Sequence, residues 1–180
     1  RQRQMCIRDS NAVGECPHAN PAKAVVIKKE IDMLVYHGSQ TAGISTVIPR
    51  VSPHGRPVVY ASDRMDSVFL YCAKWNDFML TCGSDDVVVE RYQGAFDELY
   101  KDKSGYIYLL DAAAFHFDES CQELISEQPV DVIDCIAVNR LYDVIMKRYR
   151  VYLYPDKPAW LADDDRDIVE HAVKIYHMCG

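Results

Sequence analysis

From residue 34 onward, short apolar runs alternate with polar breaks at intervals too brief for long helices. Leu34-Val35-Tyr36-His37 is a β-forming run closed by Gly38 and Ser39, which predicts a strand ending in a turn. Residues 52–57 (SPHGRP) are a loop by composition, and Val58-Val59-Tyr60-Ala61 predicts a second short strand. Ser62 and Asp63 offer N-cap chemistry to a helix whose buried face is Val68, Phe69, Tyr71, Cys72 and Trp75. Val87-Val88-Val89 predicts a buried strand, and residues 106–110, after the turn residues Ser104 and Gly105, predict another. Residues 130–138 predict a strand leading into a helix over 141–147, with Leu141, Val144 and Ile145 on one face. Residues 151–154 are strand-like and stopped by Pro155 and Pro158. A last helix starts in Asp163-Asp164-Asp165, whose carboxylates suit a helix N-terminus, and packs Ile168, Val169, Ala172, Val173 and Tyr176. Strands and helices interleave without βαβ regularity, so the expected class is α+β in a single domain.

Composition agrees with a folded domain: 180 residues, 49% hydrophobic and 26% charged, suffice for one core and not two. The net charge of −7 argues against non-specific nucleic-acid binding or an anionic membrane surface as the main activity. No apolar run approaches the roughly 20 residues that cross a bilayer, and no signal peptide is visible. Seven cysteines without CxxC spacing read as reduced thiols, which places the expected protein in the cytoplasm.

Residues 1–32 are expected to lie outside the domain, as upstream-derived or disordered sequence. The first ten residues (RQRQMCIRDS) resemble translated sequencing-adapter DNA of metagenomic contigs. Lys28-Lys29-Glu30 is encodable with a bacterial ribosome-binding AAGGAG two codons before Met33, which makes Met33 a candidate native start; the other reading is a charged helix start. The domain is then expected over residues 33–180.

Candidate chemistry gathers at two strand ends. In Tyr36-His37-Gly38-Ser39 an imidazole, a bare backbone and a hydroxyl converge on one point, and glycine lets a planar amide approach its peptide groups closely. An aromatic in Val58-Val59-Tyr60-Ala61-Ser62 can stack on a ring. These are the needs of nicotinamide recognition. With Tyr71-Cys72 eleven and twelve residues after Tyr60, and with Gly105-Tyr106-Ile107-Tyr108, the ordered set resembles the ADP-ribosyltransferase superfold of poly-ADP-ribose polymerases, diphtheria-like toxins and rifampin ADP-ribosyltransferase.

The resemblance spans residues 33–117 and implies split antiparallel sheets with flanking helices, NAD as substrate and no metal. It implies that His37 bonds the nicotinamide-side ribose and that the Gly38 backbone, with Ser39, holds the carboxamide. Tyr60 and Tyr71 would stack on nicotinamide, and Ser62 and Ser67 belong to the expected cofactor-binding set. Ser67 falls one position before the family's carboxamide-binding serine, where Val68 stands. The family's catalytic glutamate registers on Gly105. Glu98 or Glu90 could take the role, the protein could transfer a single ADP-ribose without it, or it could bind a nucleotide without chemistry. The catalytic set expected is therefore His37, Tyr60 and Glu98, with an acceptor that is a protein, a nucleic acid or a small molecule.

Other readings stand beside this one. RNA 2′-phosphotransferases share the fold but need a basic phosphate site, against which the acidic balance argues. A non-enzymatic nucleotide- or ADP-ribose-binding module, or an interaction protein in which these turns are structural, are the rivals from other classes. His171, His177 and Cys179 match no closed zinc pattern, and residues 163–167 lack the glycine and final glutamate of a calcium loop. The cysteines lack a neighbouring base and read as small core residues.

Overall fold

The computed structural model describes residues 13–15, 34–51, 55–74, 80–83, 86–159 and 161. Among these the strands are β1 (Val13–Glu15), β2 (Leu34–Ser39), β3 (Thr46–Val47), β4 (Arg50–Val51), β5 (Pro57–Ala61), β6 (Leu80–Gly83) and β7 (Val87–Glu90). They continue with β8 (Gly105–Asp111), β9 (His116–Asp118), β10 (Glu123–Ser126), β11 (Val130–Val138) and β12 (Arg150–Tyr152). The α-helices are α1 (Ala95–Tyr100) and α2 (Leu141–Arg148), and a 3-10 helix spans Met65–Cys72. This is a small α+β protein of mostly antiparallel sheets with few helices.

The central sheet runs β1-β11-β8-β2, with β3 also on β11; a second runs β4-β5-β10-β9, and a third β12-β7-β6. Among the described strands only the β12–β7 pair is parallel. Alternation along β8 explains why the central sheet buries apolar side chains on both of its faces within one domain. Ile107 and Leu109 face the 3-10 helix, α1 and α2, packing with Phe69, Phe96, Leu141 and Ile145. Tyr108 and Leu110 face the other way, against Val35 of β2, Val47 of β3 and Val59 and Ala61 of β5. The first two sheets meet where Tyr36 bridges Ser62.

The strands expected from the buried run Val87-Val88-Val89 and from 58–61, 106–110 and 130–138 are present, as is the helix over 141–147. Gly38 and Ser39 do not turn. They continue β2, because Ile107 and Tyr106 of β8 pair with them. The helix after Asp63 is 3-10, and its N-cap position, Arg64, has no side-chain cap; Ser62 Oγ instead accepts the Arg64 N–H at 3.1 Å in a local turn. Leu70 takes the buried place expected of Tyr71, which is 43% exposed. The helix is covered on two sides, by the central sheet and by Tyr100 of α1, whose hydroxyl donates to the Leu70 carbonyl.

Close approach of that helix to the sheet dictates two glycines. A Cβ at Gly38 would overlap the Val68 carbonyl oxygen, and one at Gly105 would overlap the Cys72 backbone. Val13–Glu15, within the segment expected outside the domain, lie as an edge strand on β11. Trp75, Trp160 and the helix expected from Asp163 lie outside the described residues.

Candidate functional site

The site is built at the far end of β2. Tyr36 exchanges backbone bonds with Ser62 at 2.8 and 2.9 Å, so its peptide groups point away from β8. In an antiparallel ladder that direction recurs every second residue. The N–H and C=O of Gly38 therefore also face away from β8, one step beyond the bridge to Ser62. Between them, His37 directs its backbone at Tyr108 of β8 and its side chain to the Val35 face.

There the imidazole is fixed by one bond. Nδ1 lies 2.8 Å from the Tyr60 carbonyl oxygen, 23 residues away in sequence. A carbonyl only accepts, so Nδ1 carries the proton, and in the neutral ring Nε2 is left as an acceptor. Burial lowers the His37 pKa below 6.5; the bond to Tyr60 opposes this, and the Arg50 charge adds to it. His37 is thus a neutral, oriented acceptor near pH 7.

A cleft of about 430 Å³ opens at this point. It is lined by His37, Gly38 and Ser39 of β2, by Thr41 and Ile44 of the following loop, and by Arg50 and Val51 of β4. Val58, Val59 and Tyr60 of β5 form another wall, and Tyr71, Ala73 and Lys74 at the end of the 3-10 helix close the set. Since Val59 and Ala61 point into the core, the Tyr60 ring turns to the opposite face of β5. The loop after β2 is held from below. The Tyr108 hydroxyl donates to the Thr41 carbonyl at 2.7 Å and accepts from the Ile44 N–H at 3.2 Å. Tyr108 is fully buried, so the hydroxyl brings its only polar atom to the wall of the cleft.

No protein-family model matches the chain, and no curated protein or solved structure matches it.

Of the residues singled out from sequence, His37, Gly38, Ser39, Tyr60 and Tyr71 line this one cleft. Ser62 and Ser67 are not among the lining residues: Ser62 sits in the bridge to Tyr36, and the Ser67 N–H bonds Arg64 in the first helical turn. Glu98 is also elsewhere, exposed on α1, where it accepts from the Tyr92 hydroxyl at 3.1 Å. Its charge, after partial burial, helps push the Tyr92 phenol upward.

Glu90, the other carboxylate considered, is 3% exposed. One oxygen accepts the Phe96 N–H and the other the Tyr154 N–H, both at 2.8 Å, so it ties the start of α1 to the segment after β12. At Gly105 the 3-10 helix backbone fills the space a side chain would need. Cys72, beside it, is a buried thiol near the Val68 and Tyr106 carbonyls; burial pushes its pKa up to about 12, which removes it as a nucleophile.

Arg50, Lys74 and Tyr108 were not foreseen. Arg50 and Lys74 reach the cleft from a loop-rich stretch and from a helix end, and nothing in their spacing marks either. Tyr108 shares its strand face with Tyr106, and only the pairing with Thr41 and Ile44 separates their roles. Among the described residues no group of three or more His, Cys, Asp or Glu could hold a metal, and no helix is long and apolar enough to cross a membrane. His171, His177 and Cys179 lie outside the described residues.

Proposed function

We propose that the cleft binds NAD and that the protein is an ADP-ribosyltransferase of the mono-transferring kind. The observation that carries this reading is the His37–Tyr60 junction. Two distant strands are joined through Nδ1 and a carbonyl, so that Nε2 is left as a hydroxyl acceptor beside the outward-facing peptide of Gly38. A ribose hydroxyl donates to such an acceptor, and a carboxamide pairs with an N–H and a C=O on one strand edge. Tyr60 and Tyr71, both lining the cleft, supply aromatic faces for the nicotinamide ring.

In this reaction the C1′–N bond to nicotinamide breaks and its electron pair neutralises the pyridinium, so nicotinamide leaves uncharged. The acceptor nucleophile forms the new bond to C1′ and releases its proton to solvent. His37 and Gly38 contribute by holding the two halves of that bond in a reactive geometry. Gly105 shapes the outcome: the position that resembles the family's glutamate has no room for a side chain, and neither Glu98 nor Glu90 lines the cleft. That same feature favours a second reading, a module that binds the nucleotide without cleaving it.

Nicotinamide release from NAD tests the first reading, with His37→Ala alongside. Turnover that falls at least tenfold in the variant is expected, and equal turnover would overturn it. The second reading expects no turnover but NAD-dependent thermal stabilisation, on the order of 2.7 kcal/mol at a ligand concentration 100 times Kd. Absence of both would remove NAD from the account.

A further inference from the structure

The cleft has a charge pattern of its own. The chain carries 27 acidic residues and a net charge of −7, yet among the described residues lining the cleft there is no aspartate or glutamate. Two cations line it instead, Arg50 from β4 and Lys74 from the segment after the 3-10 helix. Five other described cations, Arg56, Arg64, Lys101, Arg140 and Arg148, each pair with a carboxylate. Among the described residues neither Arg50 nor Lys74 has such a partner. Arg50 also stands close enough to His37 for its charge to be felt at the ring.

We propose that Arg50 and Lys74 together bind a pyrophosphate group, which makes the cleft a site for ligands built on a nucleoside diphosphate. The pair suits this group better than a single carboxylate. Two positive charges approach from separate elements, and adjacent phosphates offer two negative charges along a short chain. Arginine supplies a planar fork of donors that matches phosphate oxygens, and lysine a compact point charge. The inference deepens the NAD reading, since NAD carries a pyrophosphate, but its grounds are the charge pattern alone.

Calorimetric titration of the full chain with inorganic pyrophosphate, ADP-ribose and nicotinamide tests it. The proteins are wild type, Arg50→Gln, Lys74→Gln, the double variant, and Lys103→Gln as an exposed control outside the cleft. Both cleft cations are exposed, so the substitutions should leave folding intact. Each single variant should weaken pyrophosphate and ADP-ribose about tenfold and the double about a hundredfold. Nicotinamide binding and the Lys103→Gln control should stay unchanged. The pyrophosphate affinity should also fall as salt rises. Wild-type affinity in the double variant, or no binding of pyrophosphate and ADP-ribose to wild type, overturns the proposal. If pyrophosphate binds through the two cations while NAD shows neither turnover nor binding, the NAD reading fails and this one stands. If NAD turns over normally in the double variant, this one fails and the NAD reading stands.

Discussion

Two regions of the molecule use their polar groups in opposite ways. Around α1, Glu90 is buried with both oxygens committed to backbone N–H groups, and Glu98, Asp97 and Lys101 are engaged by neighbours. Around the cleft, the histidine is held by one nitrogen and presents the other, a glycine turns its peptide groups to an edge, and two cations have no carboxylate among the described residues. The first arrangement makes polar side chains into ties, since a buried carboxylate is tolerable only when its lone pairs are satisfied. The second leaves bonding capacity facing a concave surface. A carboxylate is therefore not marked as functional by its type: Glu90 and Glu98 were the acids with the clearest sequence claim on catalysis, and both belong to the tied region.

The contrast can be broken at several points. The largest effect is expected from Glu90→Leu, which strands the Phe96 and Tyr154 N–H groups. Urea unfolding should show a loss of about 3 kcal/mol, with the melting temperature down by roughly 10 °C. A wild-type midpoint would mean that Glu90 is not the tie described. Next in size is Tyr108→Phe, which removes the support of the loop after β2. It should cost about 1–2 kcal/mol, speed hydrogen exchange at the Ile44 amide and weaken NAD several-fold. Loss of stability without loss of affinity would separate the loop from the site.

The smallest effect sharpens the comparison through pH. The His37 pKa is depressed below 6.5 in the folded protein, so between that folded value and 6.5 the unfolded chain binds more protons, and stability rises with pH. The contribution is fully present above about 6.5 and is lost as pH falls through the folded value. Protonation also turns Nε2 from acceptor to donor, so NAD affinity should drop over the same window. His37→Gln should flatten both dependences, and an unaltered slope in stability would place the titrating group elsewhere.

Much of the framework is legible in sequence because it follows local alternation. Val87-Val88-Val89 is buried on both faces and reads as an unbroken apolar run, and residues 106–110 alternate between the two faces of the central sheet as a strand should. The helix over Leu141–Arg148 shows its buried face in Leu141 and Ile145. What sequence conceals is decided across the chain. Gly38 and Ser39 have turn chemistry, and only the partner strand β8 draws them into β2. The six-residue α1 has no side-chain cap at Gly94; its Phe96 N–H is satisfied by Glu90, from the preceding strand. In the site, His37 and Tyr60 were placed together by motif, but the bond that orients the ring runs to a backbone atom, which no residue type announces. Arg50 and Lys74 gain meaning only from the absence of acids among the described residues around them.

Every described residue lining the cleft falls between His37 and Lys74, while the strand that positions β2 and the tyrosine that props its loop come from residues 105–111. During synthesis the described cleft residues therefore leave the ribosome well before they have a scaffold. A nascent chain that stops short of β8 holds every one of those side chains and no binding site. The cleft is expected to take shape only once β8 pairs with β2.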